Sequence, residues 1–196
     1  AAPQLGQTDA TQTSRSMSAR ATSAEGSSVK ASTTVGFPHG GHLTKIKVAE
    51  AEAALDDGGQ ELDMVVNIGK VKSHDWDYVA ADIRAVNEVV VDRGQIVKVI
   101  FENCFLTNEE KIELCKICGE LGVAFVKTST GYGEDGATME DLTLMRKHSP
   151  EQVQVKAAGG VRDYDKLLAV REIGVTRVGA SRTKEMLDEC KRRLGA

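Results

Sequence analysis

Phe125-Val126-Lys127-Thr128-Ser129-Thr130-Gly131 puts a lysine near the end of an apolar, β-rich run and follows it at once with hydroxyls and a glycine. Further on, Val155-Lys156-Ala157-Ala158-Gly159-Gly160-Val161-Arg162 repeats the arrangement, with a glycine pair just beyond the lysine. Working outward from these two runs, short β-rich stretches alternate with amphipathic helical ones. The strands are expected at residues 30–37, 61–67, 96–102, 123–129, 152–158 and 176–181. Gly59, Gly94, Gly122 and Gly174 each precede a strand, as expected of the residue just past a helix end, which needs positive φ. Thr107 with Glu110 has capping-box spacing, and Thr138 with Asp141 is a weaker version. Strand–helix alternation with short links implies parallel strands joined by right-handed crossovers.

The remainder of the chain fits that scheme incompletely. Residues 1–34 hold 13 Ser or Thr, with only Leu5, Met17 and Val29 as larger apolar groups. Such a stretch buries too little surface to offset its ordering entropy. Residues 1–29 are therefore expected to be a disordered Ser/Thr-rich tail, with 30–196 forming the folded domain. A (β/α)8 barrel needs roughly 200–250 residues, so the folded part has room for about six βα units. The fold class expected is α/β, a TIM-type barrel that is incomplete.

Composition narrows the function. The 196 residues carry 25 Lys+Arg against 29 Asp+Glu, a net charge of −4. That balance lacks the basic excess of a dedicated nucleic-acid binder. No apolar run reaches the roughly 18 residues of a membrane-spanning helix. Four cysteines in a chain of this size do not make a disulfide scaffold. The expectation is a soluble, cytoplasmic protein.

Side chains alternate along a strand. Glu61 and Asp63 share a face, Lys98 and Glu102 share another, Lys127 lies with Phe125 and Ser129, and Lys156 with Gln154 and Ala158. Helices cover the other face of a parallel sheet, so the ionisable face turns into a barrel interior or cleft. Charge there is costly unless it is paired or used for chemistry. Two lysines at matching places on adjacent strands disfavour each other's protonation, and burial adds to this. A neutral amine is the species Schiff-base chemistry requires. Gly159-Gly160 and Val178-Gly179-Ala180-Ser181 follow consecutive strands, where barrel loops commonly hold a phosphate through backbone N–H groups. Lys98 is a rival by face alone, but pairing with Glu102 or Asp63 explains it.

From Val35 onward the chain resembles the deoxyribose-phosphate aldolase family. The matching runs are Val35–Gly40, Glu61–Gly69, Lys98–Glu102, Phe125–Gly131, Val155–Arg162 and Arg177–Ser181, which cover about four fifths of the chain in the family's order. The resemblance implies a class I aldolase that cleaves 2-deoxy-D-ribose 5-phosphate reversibly, with no metal or other cofactor. By position it makes Lys127 the Schiff-base nucleophile, Lys156 the neighbouring cation and Asp63 the proton-relay acid/base. It places Gly131, Gly159, Gly160, Gly179 and Ser181 at the substrate phosphate. The family begins with two further βα units that are not found here, and the Ser/Thr-rich stretch takes their place. A catalytically silent member that binds phosphate or a partner chain is the alternative, as is a barrel aldolase acting on another sugar phosphate. Exposed barrel edges would favour a homo-oligomer. Cys115 and Cys118 read as buried structural thiols within a helix, and His39 and His42 as loop residues.

Overall fold

The computed structural model describes residues 28–195. The expectation of a disordered tail over 1–29 falls almost wholly outside these residues. Six parallel strands pair in sequence order: β1 (Ser32–Val35), β2 (Glu61–Val65), β3 (Ile96–Ile100), β4 (Phe125–Lys127), β5 (Gln154–Ala158) and β6 (Arg177–Gly179). Each lies inside a predicted strand and is shorter than it. Between them run α1 (Thr44–Asp56), the short α2 (Ile68–Lys72), α3 (Trp76–Val91), α4 (Asn108–Glu120), α5 (Met139–His148) and α6 (Tyr164–Glu172). A 3-10 turn (Asn103–Phe105) follows β3, and α7 (Thr183–Leu194) follows β6.

Local chemistry sets the helix ends. Thr107 and Glu110 form the reciprocal capping box at the start of α4. Thr138 accepts the Asp141 N–H at the start of α5, and Asp163 accepts that of Lys166 at the start of α6. Positive φ occurs at Gly94, Gly122 and Gly174 as expected, but before β2 it falls on Gly58 rather than Gly59.

The sheet is curled. Neighbouring strands lie about 4.8 Å apart, so β2 and β6 would stand roughly 19 Å apart if flat, beyond the joint reach of two side chains. Yet Arg177 on β6 donates to Glu61 on β2. The six strands thus form a barrel-type arc whose concave face holds the ionisable residues. Its convex face is apolar: Leu62, Met64, Val97, Val99, Val126, Val155 and Ala157 are buried against the helices. Beneath them α1 packs on α3 through a fully buried pair, Lys47 Nζ to Asp82 Oδ2 at 2.6 Å.

Candidate active site

The register of the sheet builds the site. Asp63 pairs with Lys98, and Lys127 with Lys156. Curvature then swings the tips of β3, β4 and β5 toward β2. Lys127 Nζ donates to Asp63 Oδ2 at 2.7 Å, and Lys156 Nζ donates to the same oxygen at 2.9 Å. Lys98 Nζ donates to the other oxygen, Oδ1, at 2.8 Å. Three ammonium groups therefore converge on one carboxylate, and all four residues are buried. Lys98 also meets Glu61 Oε2 at 2.7 Å, and Glu61 meets Arg177. Burial by itself would push the Asp63 carboxyl up. The charges of Lys127, Lys156 and Lys98 outweigh it and hold the group far below the ordinary carboxylate range.

The sequence-predicted catalytic residues Lys127, Lys156 and Asp63 are thus brought together. Lys98 pairs with Asp63 as expected and with Glu61 as well. It does not pair with Glu102, whose carboxylate turns away to Thr130. Glu102 is one of two non-glycine residues at positive φ among those described. A non-glycine residue held there costs on the order of 1–3 kcal/mol.

The glycines expected at a phosphate sit at the carboxyl ends of β4, β5 and β6. Gly131 is exposed with φ +89°, and Gly159 and Gly160 have φ +76° and +77°. The loop after β4 lies directly against the loop after β5: Ala137 N–H is shared between the carbonyls of Ala158 and Gly159, 3.1 Å from each. A Cβ on Gly136 would stand 2.6 Å from the Gly159 carbonyl carbon, so only glycine permits this approach. Gly179 ends β6 and pairs with Ala158, and Ser181 is exposed two residues later. The following helix, α7, starts at Thr183 and its flanking residue Arg182 supplies no side-chain cap, which leaves the first N–H groups to another acceptor.

Lys166 was not anticipated. Its Nζ lies 3.8 Å from where a Cβ on Gly160 would be, which puts an ammonium beside the glycine pair. Its only sequence signal is its place in the first turn of α6. Cys115 and Cys118 are buried in α4, and burial pushes the Cys115 thiol up to about 11. No group of three or more His, Cys, Asp or Glu side chains suited to a metal occurs among the described residues.

Comparison with known proteins gives the family and the fold. Residues 2–181 match the model of the DeoC/LacD family aldolases. The chain is 64% identical over 167 residues to the deoxyribose-phosphate aldolase of Rhodopirellula baltica, covering 85% of this chain and 69% of that one. Among solved structures it resembles the aldolase QR15, with TM-score 0.82 and 35% identity over 88% of this chain and 77% of that one. It also resembles the tetrameric deoxyribose phosphate aldolase of Aeropyrum pernix, with TM-score 0.81 and 26% identity over 89% and 74% of the two chains.

Proposed function

The chain belongs to the DeoC/LacD aldolase family, and we propose that it cleaves 2-deoxy-D-ribose 5-phosphate through an imine on Lys127. The products are D-glyceraldehyde 3-phosphate and acetaldehyde, and the reaction is reversible. One observation supports a shared catalytic centre: Lys127 and Lys156 share a single oxygen of Asp63 on adjacent strands that lead into the glycine loops, and the family resemblance makes Lys127 the attacking amine.

The Lys127 amine adds to the C1 aldehyde, and loss of water leaves an iminium. The iminium is an electron sink. A base takes the proton of the C3 hydroxyl, and the C2–C3 bond breaks. Its electron pair forms the enamine, and C3 leaves as the aldehyde of glyceraldehyde 3-phosphate. A proton is then returned to C2, and water hydrolyses the iminium to acetaldehyde and free Lys127.

Asp63 is the carrier of these protons, and its environment sets the timing. With Lys127 protonated it is a counter-ion and a poor base. When Lys127 gives up its proton, the largest of the three cationic influences on Asp63 is removed. Its proton affinity rises in the same step. Lys156 remains as the fixed charge that keeps Lys127 from being reprotonated and that stabilises developing negative charge.

The phosphate binds at Gly131, Gly159, Gly160, Gly179 and Ser181, at the start of α7 and beside Lys166. Binding so far from the reacting bond orients the substrate. We place the enzyme in the cytoplasm, in keeping with four free thiols and a sugar-phosphate substrate. No described helix is long and apolar enough to cross a membrane. Homo-oligomer formation is also part of the proposal, favoured by the tetrameric relative. Incubation with acetaldehyde and borohydride tests the chemistry: one reduced two-carbon adduct on Lys127 is expected, and an unmodified Lys127 rejects the reading.

A further inference from the structure

Glu102 has no part in the lysine cluster, yet it is 2% exposed and held at φ 58°, ψ 65° just beyond β3. An ionised carboxylate only accepts hydrogen bonds, so a buried one must find donors. Glu102 finds them in the loop after β4. It accepts the Thr130 N–H, 3.2 Å from Oε1 and 3.3 Å from Oε2, and Oε2 also accepts the Thr130 hydroxyl. That hydroxyl in turn accepts the Tyr132 N–H at 3.0 Å. The chain is thereby folded from Thr130 to Tyr132 around Gly131, the glycine assigned to the phosphate.

Two further contacts fix the same turn. A Cβ on Gly133 would stand 2.7 Å from Cys104 Sγ and 3.2 Å from Glu102 Cδ, so the loop lies directly on Glu102. On its other side the Tyr132 ring meets Phe37, from the loop after β1, edge-on with centroids 5.3 Å apart.

We propose that Glu102 is a positioning residue for the phosphate end of the substrate: its buried carboxylate, tied to Thr130, shapes the Gly131 turn that faces the phosphate. The inference rests on the aldolase reading above, in which Gly131 contacts that group. A free carboxylate here would repel a phosphate dianion. Turned onto the Thr130 donors, it instead spends its charge on holding the loop, through charge-assisted bonds stronger than neutral ones.

The test compares phosphorylated with unphosphorylated substrate. Glu102→Ala is expected to raise KM for 2-deoxyribose 5-phosphate about tenfold or more with kcat within roughly threefold, and to leave turnover of 2-deoxyribose within roughly twofold. Glu102→Gln, which keeps one acceptor oxygen, is expected to recover most of the loss. A fall in kcat at unchanged KM, or equal losses for both substrates, overturns the proposal. If Glu102→Ala does not fold, Thr130→Val removes the hydroxyl that links Glu102 to Tyr132 while keeping the backbone N–H contact, and must raise KM for the phosphorylated substrate with kcat unchanged. Acetaldehyde trapping on the wild type separates the two levels, because a missing adduct there removes the aldolase reading. Protection of residues 130–132 from amide exchange by inorganic phosphate then reads the positioning role directly. Protection lost in Glu102→Ala supports that role, and equal protection in both proteins overturns it.

Discussion

Lys127 and Lys156 meet on one atom: both ammonium groups donate to Asp63 Oδ2, at 2.7 and 2.9 Å. Two like charges sharing an acceptor differ from two independent ion pairs. Whichever lysine loses its proton relieves the other, and the shared carboxylate oxygen lies within hydrogen-bond distance of both.

The two lysines should therefore fail differently. Lys127→Met removes the attacking nitrogen, so neither turnover nor a borohydride-trapped adduct is expected. Lys156→Leu leaves the nitrogen in place but removes the charge that disfavours its protonation. Only trace adduct is then expected near neutral pH. Intact-mass spectrometry after trapping reads both outcomes, and a Lys127→Met protein that still cleaved substrate would refute the assignment.

Removing Asp63 should cost stability as well as activity. Asp63→Asn leaves Lys98, Lys127 and Lys156 around a neutral amide. Breaking a buried ionic cluster from one side costs about 3–5 kcal/mol. The wild-type carboxyl titrates near 3.8 when unfolded and far lower when folded. Its contribution is thus complete above about pH 5 and fades as pH falls through the unfolded value toward the folded one. Thermal melts between pH 7 and pH 3 should show a shallower acid limb for Asp63→Asn than for wild type. Parallel limbs would show that Asp63 is not held ionised.

Lys166 offers a check on the phosphate site that is independent of Glu102. Lys166→Ala is expected to raise KM for 2-deoxyribose 5-phosphate by about tenfold, with trapping of acetaldehyde unchanged, since a lost cation weakens binding and leaves the imine alone. Steady-state kinetics beside the trapping assay decide it. A lower trapping yield would place Lys166 in the chemistry.

The strands and the lysine pair could be read in the sequence because a two-residue period marks a strand and, before four of the six, so does a glycine near the preceding helix end. Lys127 and Lys156 then fall at matching positions on neighbouring strands. The partner of Lys98 could be read only as far as two candidates, Asp63 and Glu102, and Asp63 is the one it meets. Glu61, Asp63 and Glu102 all lie on suitable faces; the strand register sets Asp63 directly opposite Lys98, and Glu61, two residues earlier on the same face, is reached as well. That register is a tertiary property. Glu102 was legible as a member of the ionisable face but not as a clamp, because nothing in local composition marks a glutamate that will turn to positive φ. Lys166 was missed for a related reason: its neighbour, Gly160, is close only after the chain has turned into α6.

The buried thiols should be inert in the native protein. Cys115 and Cys118 are enclosed in α4, and burial raises both thiols, Cys115 to about 11. Cys104 is exposed. A thiolate-selective reagent at pH 8 is expected to label Cys104 first and the α4 pair only on unfolding. Peptide mapping after timed labelling reads the order, and early labelling of Cys118 would show that α4 opens readily.

The last prediction concerns the Lys47–Asp82 pair beneath the sheet. Lys47 Nζ also donates to the Val65 carbonyl at 3.0 Å, and Asp82 Oδ1 accepts the Thr44 hydroxyl at 2.7 Å. The pair joins α1, α3 and the end of β2 while both residues are at most 1% exposed. Lys47→Met strands a buried carboxylate and should cost about 3–5 kcal/mol, a fall in Tm on the order of 10 °C. Adding Asp82→Leu removes the stranded charge, so the double variant should melt above Lys47→Met. It should still melt below wild type, because Val65 and Thr44 lose their partners. If the two losses were instead additive, the cost would come from packing rather than from the unpaired charge.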